Sequence, residues 1–324
     1  MIVVTGGAGF IGSCLAGRLN ELGRTDLLLV DNRGTECPKA SNLKKRKFAD
    51  YFEKKDFLKE LAKGRLNKEI EVIFHMGACT DTTETNREYL WETNYLYSKE
   101  LAEWSLREGK RLIYASSAAT YGAGEQGYSD DEAVIPKLKP LNLYGLSKQA
   151  FDLWVLENKL QKKLTGFKFF NVYGPNEYHK EEMRSMVHKG YQQIKQTGKI
   201  RLFKSYKPEF ADGEQKRDFI YVKDAVAVML WAWDHPGKTG IFNLGTGKAQ
   251  TWNELARAIF EALGLSPKIE YFNMPDSLKN QYQYRTQADL SNLRKTGCGH
   301  PFSTLRDGVK DYVANYLEKS DPYL

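Results

Sequence analysis

The stretch "MIVVTGGAGFIGSCLAGRLNELG", Met1 to Gly23, decides the fold. It opens with a β-branched run, turns through glycines and continues as a helical pattern, with Ile11, Leu15 and Leu19 at i, i+4 and i+8. Gly6, Gly9 and Gly12 have the spacing G-x-x-G-x-x-G. The next apolar run, "LLLVDN", ends in Asp31, 19 residues beyond Gly12. Strand, glycine turn, helix and acid together predict a dinucleotide site. The turn lets backbone approach a pyrophosphate at the helix N-terminus, and the acid meets the adenosine ribose.

Further strands are expected at "EVIFHMGA" (Glu71 to Ala78), "RLIYASSAATYG" (Arg111 to Gly122) and "TGFKFFNVYG" (Thr165 to Gly174). Helices are expected near Asp56 to Leu66, Asn86 to Arg107 and Ser147 to Leu160. The alternation predicts an α/β fold with a Rossmann-type, doubly wound parallel sheet covered on both faces. Ligands then bind beyond the C-terminal strand ends. That places Gly6, Gly9, Phe10, Ile11, Gly12, Asp31, Asn32, Met76, Gly77, Ala78, Cys79 and Thr80 at the cofactor, with Asn94, Lys148 and Val172 nearby. After Gly174 the rhythm gives way to long charged and aromatic loops, interrupted by "GIFNLGT" (Gly240 to Thr246). The expected division is a dinucleotide domain over 1–174 and a smaller, mixed α/β substrate lobe over 175–324, with an element near 217–246 returning to the first.

The bulk properties narrow the class. The chain has 324 residues, 27% of them charged and 41% hydrophobic, as expected of a globular protein. Its longest apolar run, "AVAVMLWAW" (Ala225 to Trp233), is about half of the roughly 20 residues a membrane span needs. No membrane partner is therefore expected. The opening strand-and-turn pattern leaves no room for a secretory signal. Four scattered cysteines, none in a C-x-x-C pair, point to a reduced, cytoplasmic setting without structural zinc. No His, Cys or carboxylate cluster has metal-ligand spacing. The net charge is +7, and its one dense cluster, "KKRK" (Lys44 to Lys47), reads as a solvated loop first and a phosphate contact second. No nucleic-acid module surrounds it.

The pattern Tyr-x-x-x-Lys occurs four times, at Tyr51/Lys55, Tyr95/Lys99, Tyr144/Lys148 and Tyr191/Lys195. Tyr51 is expected in a polar loop, Tyr95 inside a helix and Tyr191 in a helix of the second lobe. Only Tyr144 opens a helix after a Pro-containing loop that follows a strand ending in paired serines, Ser116 and Ser117. Tyrosine, with a pKa near ~10, is a poor base at neutral pH. A lysine one helical turn away lies on the same face, and its charge, with that of an oxidised nicotinamide, favours the phenolate. With a serine holding the substrate hydroxyl, such a group removes a proton from an alcohol as hydride leaves its carbon.

"TGGAGFIG", "VDN", "HMGA", "YASSAATYG", "YGLSK", "FFNVYGP" and "RDFIYVKDAV" run in order along nearly the whole chain. Together they resemble an extended short-chain dehydrogenase/reductase. "FHMGACTDTTE", "SSAATYG", "NVYGPNEYHK" and "QYRTQADLSNLR" most resemble the ADP-L-glycero-D-manno-heptose 6-epimerases within it. The resemblance implies Tyr144 as base and acid, Lys148 on the nicotinamide ribose and Ser117, rather than Ser116, as the third partner. It implies Lys180 as a second acid/base, although Glu181 and Glu182 follow it and a neighbouring carboxylate would favour its charged form. It places Arg217 on the substrate diphosphate, against the plain alternative of a salt bridge to Asp218 or Asp224. Asn171, Glu182, Lys189, Phe203 and Tyr282 complete the expected substrate contacts.

Asp31 argues for NAD, because a carboxylate repels a 2′-phosphate. Arg33, Lys39 and Lys54, with "KKRK" close by, could neutralise one, and the resembled epimerases hold NADP tightly. NADP is therefore the expected cofactor and NAD the alternative. The expected reaction is redox-neutral inversion at C6 of ADP-heptose through a ketone, in lipopolysaccharide precursor synthesis, by a homo-oligomer. A 4,6-dehydratase would need a carboxylate near the serines, where this chain has "SSAAT". A UDP-sugar 4-epimerase differs mainly in the nucleotide pocket. A non-catalytic dinucleotide sensor would be expected to lack the Tyr or Lys.

Overall fold

The computed structural model describes residues 1–32, 38–279 and 282–324. Its largest sheet is built from short strands that are apolar on both faces. β1 (Ile2–Thr5), β2 (Leu27–Val30) and β4 (Val72–His75) are buried throughout, the signature of parallel strands covered on two sides. With β3 (Asp50–Phe52), β5 (Arg111–Ser117), β6 (Thr165–Phe169) and β10 (Gly240–Leu244) they form seven parallel strands in the order β10-β6-β5-β4-β1-β2-β3.

Alternate residues of one strand enter different cores. Ile2 and Val4 pack with α1 (Phe10–Glu21) and α7 (Val222–Asp234). Val3 packs on the other face with α2 (Lys54–Ala62), the long α3–α4 run and α5 (Leu143–Glu157). That run comprises α3 (Arg87–Leu90), a π turn (Trp91–Leu96) and α4 (Tyr97–Arg107). The nine-residue apolar stretch lies within α7, and no helix of the described residues is long and apolar enough to cross a membrane.

Two expectations need correction. Tyr51 lies on the edge strand β3 rather than in a loop, paired with Leu29. This strand is only three residues long and partly exposed, so it carries no alternating apolar signal. The stretch Thr165 to Gly174 is two strands, not one. The chain leaves the large sheet at Phe170 and continues as β7 (Asn171–Tyr173), which pairs with β9 (Lys216–Tyr221) in a second sheet. β11 (Ala249–Thr251) completes that sheet. The smaller lobe adds α6 (Met186–Thr197), α8 (Trp252–Ala262) and the pair β8 (Ile200–Phe203) and β12 (Ile269–Phe272).

Candidate active site

The strand order places β1 and β4 side by side at the centre, and the turns after them nearly touch. Gly6 has φ +66°, and a Cβ there would lie 2.7 Å from the Gly77 nitrogen. A Cβ on Gly12 would run into the Gly6 carbonyl oxygen. Both positions therefore require glycine, which brings α1 and its N-terminal amides down onto the turn. A cleft of about 390 Å³ opens there. Its walls include Gly6, Gly9, Phe10, Ile11, Gly12, Asp31, Asn32, Lys39, Lys54, Met76, Gly77, Ala78, Cys79 and Thr80. Ile11, expected on the buried helical face, is half-buried and faces this cleft.

Asp31 sits at the end of β2, nearly buried, and accepts hydrogen bonds from the Ala8 nitrogen (3.1 Å), the Asn32 nitrogen (2.8 Å) and Lys39 Nζ (3.1 Å). Lys39 is thus already engaged by Asp31. Lys45 binds the Tyr323 carbonyl at 2.6 Å and Asp321 at 2.9 Å, and Arg46 donates to the Leu324 carbonyl. The centre of "KKRK" therefore holds residues 321–324 and does not face a phosphate in the cleft. Arg33 lies outside the described residues.

Asn94 is fully buried: it accepts from the Cys79 nitrogen (2.8 Å) and donates to the Cys79 carbonyl (2.9 Å) and Ser147 Oγ (3.0 Å). It ties the loop after β4 to α5. Val172 is half-buried on β7, packed against the main core. The cleft also includes Tyr89, Tyr97, His179 and Lys180, of which only Lys180 was expected in the site. Burial holds the His179 imidazole at about 4, so it is neutral at physiological pH.

The expected catalytic group assembles on β5 and α5. Asn142 caps α5 by accepting from the Gly145 nitrogen at 2.8 Å, which starts the helix one residue before Tyr144. Tyr144 is 8% exposed. Burial raises its pKa, opposed by a hydrogen bond with Ser117. Lys148 is also buried and donates to the Ala115 carbonyl at 2.9 Å. Burial draws it down to about 8, with Asp152 opposing. Ser116 points elsewhere, donating to Asp152 at 2.6 Å. Burial, with a smaller contribution from Cys79, thus favours the neutral phenol, and Ser117 opposes them.

Lys180 lies on the short turn Tyr178–Met183, its ammonium 5.8 Å from the Phe10 ring. Burial lowers its pKa, opposed by Glu177. The expected influence of the following glutamates is not what dominates. Glu182 is 94% exposed and pairs with Lys189 at 3.2 Å, so these two expected substrate contacts are engaged with each other.

Arg217 settles the question of its partner. Asp218 accepts from Thr246 (2.7 Å), Gly247 (2.9 Å) and Ala288 (3.0 Å), and Asp224 from His300 (3.0 Å) and Ser303 (2.9 Å). No carboxylate among the described residues pairs with Arg217. Its guanidinium is buried, 5.0 Å from the Tyr282 ring and 5.6 Å from that of Trp252, and burial lowers its pKa. Phe203 packs edge-on to Tyr282 at 6.2 Å. Asn171 is exposed on β7. Trp252, which donates to the Tyr282 hydroxyl at 2.8 Å, was missed. Its neighbours lie some 30 residues away in sequence, so no local pattern marks it.

Residues 2–245 match the NAD dependent epimerase/dehydratase family. The chain is 50% identical to the ADP-L-glycero-D-manno-heptose-6-epimerase of Nitratidesulfovibrio vulgaris (strain DP4), over 100% of both chains. The chain belongs to the ADP-L-glycero-D-manno-heptose-6-epimerase family. It is thus an epimerase of the NAD(P)-dependent kind, with a Rossmann-type sheet and a smaller mixed lobe. The solved Helicobacter pylori ADP-L-glycero-D-manno-heptose-6-epimerase superposes with a TM-score of 0.79 at 30% identity, covering 97% of this chain and 95% of that one.

The expectation of NADP is overturned. MoeE5, solved with UDP-glucose and NAD, has a TM-score of 0.72 and 25% identity, covering 95% of each chain. In the chain described here the acid at the end of β2 is a nearly buried carboxylate that already engages Lys39, and Lys45 and Arg46 of "KKRK" are taken by residues 321–324. A buried carboxylate at the ribose accepts from a free 2′-hydroxyl and repels a phosphate there.

Proposed function

We propose that this protein epimerises ADP-glycero-manno-heptose at C6, from the D-glycero to the L-glycero form, with NAD as a retained cofactor. The observation that carries this reading is the buried Tyr144, hydrogen-bonded with Ser117 and one helical turn from buried Lys148, beside a cleft shaped for a dinucleotide. The Gly6–Gly77 approach leaves room for a pyrophosphate at the N-terminus of α1, and Asp31 awaits the adenosine ribose. NAD, when bound, supplies the acceptor and donor of hydride.

The protein's own groups do the rest. Ser117 orients the C6 hydroxyl and Tyr144 takes its proton. A poor base becomes a usable one because Lys148, and the positive charge brought by oxidised cofactor, stabilise the phenolate. Burial strengthens each of these interactions and excludes water from the ketone. Reduction on the opposite face returns the hydroxyl in inverted configuration, and Lys180, arriving from a separate turn, protonates there. Arg217, without a carboxylate partner among the described residues and flanked by Trp252 and Tyr282, offers its fork to the substrate diphosphate.

The test is product analysis with both ADP-heptose epimers, UDP-galactose and UDP-glucose, together with the mass of cofactor released by heat. Interconversion of the ADP-heptoses and release of NAD is expected. Turnover of the UDP-sugars alone would make this a UDP-sugar 4-epimerase, and a protein that releases a dinucleotide but turns over none of these sugars would make it a dinucleotide sensor.

A further inference from the structure

Tyr144 and Lys148 are followed, one more turn along α5, by Asp152. The three share a helical face at i, i+4 and i+8. Asp152 is wholly shielded from solvent. Ser116 Oγ donates to its Oδ2 at 2.6 Å, Lys168 Nζ to the same oxygen at 2.5 Å, and the Tyr114 hydroxyl to Oδ1 at 3.2 Å. Lys168, on β6, is equally buried and also donates to Thr120 Oγ1 at 2.9 Å. One carboxylate therefore joins α5, β5, β6 and the turn after β5. Adjacent residues of β5 divide the work: Ser116 reaches Asp152 and Ser117 reaches Tyr144.

Burying two opposite charges carries a desolvation cost that apolar side chains of similar volume would avoid. Stability alone is thus a weak explanation for this pair. We propose that Asp152 is a positioning residue for Tyr144 and Lys148: it pins their helix to the strand that carries Ser117 and sets a carboxylate beneath the Lys148 ammonium. The inference rests on the reading of Tyr144 as the base.

The charged and titratable groups around Lys148 are few. Tyr144 and Asp152 lie on its own helix. Cys79 and neutral His75 face it from β4 and the loop that follows. Asp152 is faced in turn by Tyr114 and Ser116 on β5 and by Lys168 on β6. Removing the carboxylate charge disfavours the Lys148 ammonium. Removing Lys168 leaves that charge less neutralised and favours it.

The alkaline limb of kcat/KM, where Lys148 loses its proton, is therefore expected to move in opposite directions in two variants. Asp152→Asn shifts it to lower pH and Lys168→Met to higher pH, each by roughly one unit. In Asp152→Asn kcat is expected to fall about tenfold at neutral pH with KM little changed, and NAD content is retained. Should Asp152→Asn fail to fold, the apolar pair Asp152→Leu/Lys168→Met takes its place and is expected to shift the limb to lower pH. Limbs that stay at the wild-type position, or move the same way in Asp152→Asn and Lys168→Met, overturn the positioning role. A fully active Tyr144→Phe defeats the reading of Tyr144 and this inference with it. An inactive Tyr144→Phe beside unmoved Asp152 and Lys168 profiles overturns the role of Asp152 alone.

Discussion

Tyr144 and Lys180 serve the proposed reaction from opposite kinds of scaffold. Tyr144 stands in the first turn of a 15-residue helix whose cap, Asn142, is local and whose partner, Lys148, follows by periodicity. Lys180 stands on a short 3-10 turn, between two residues of positive φ: Asn176 (φ +73°) before the turn and Glu181 (φ +46°) within it. That turn is held from far away. Asn176 Nδ2 donates to Ser13 Oγ at 3.0 Å, the Leu324 nitrogen donates to Asn176 Oδ1 at 3.0 Å, and Tyr178 donates to the Pro322 carbonyl at 2.6 Å. The first group is placed by helix geometry, the second by tertiary contacts across the chain. Rigid local scaffolding suits the group proposed to take the proton as the substrate is oxidised.

The largest expected effect breaks the first member of the comparison. Tyr144→Phe removes the one ionisable group of that side chain and keeps its packing. Turnover should fall by about 10²–10⁴-fold, the usual worth of general acid–base catalysis, with NAD content unchanged. Phenylalanine at Tyr51, Tyr95 or Tyr191 should leave turnover near wild type. Tyr191, for instance, spends its hydroxyl on Glu318 at 2.6 Å and the Leu317 carbonyl at 2.9 Å. A reduced rate in one of these and none in Tyr144→Phe would reverse the assignment.

Lys180→Met breaks the second member. A loss of about 10²-fold in epimerisation is expected, with NAD retained. Because its turn depends on Asn176, Asn176→Ala should lower the rate as well, and the two losses should not add. Additive losses in the double variant would mean that Asn176 supports something other than Lys180.

Arg217→Lys comes next. It keeps the charge but loses the planar fork, so KM for ADP-heptose should rise roughly tenfold or more while kcat changes less. A change confined to kcat would place the guanidinium at the reacting carbon instead of the diphosphate.

This contrast also explains what could be read without coordinates. The glycine turn, Asp31 and the Tyr144–Lys148 helix were legible because each is a short-range pattern with one physical reason behind it. β3 was not, because three partly exposed edge residues, Asp50 to Phe52, are too few to carry a period. The break at Phe170 was hidden because β6 and β7 are separated by a single residue, with no glycine or proline to mark the change of sheet. Asn94 was expected at the cofactor, and its bonds to Cys79 and Ser147 are a matter of three-dimensional neighbours. Trp252, at the start of α8, and the imidazole of His179, on the Tyr178–Met183 turn, reach the site through tertiary packing that no local rule fixes.

The smallest expected effect concerns "KKRK", where composition pointed to phosphate and the fold points elsewhere. Lys45 and Arg46 reach residues 321–324, the same segment that contacts Asn176 and Tyr178. The cluster thus belongs to the support of the Lys180 turn, not to the cofactor. Lys45→Ala removes an exposed contact, and such contacts contribute little. A Tm lower by no more than a few degrees is expected, with the amount and identity of released cofactor unchanged. Any loss of rate should vanish in a Lys180→Met background, since Lys45 holds the segment 321–324 that supports that turn. A drop in cofactor content would instead return the cluster to the dinucleotide and detach it from Lys180.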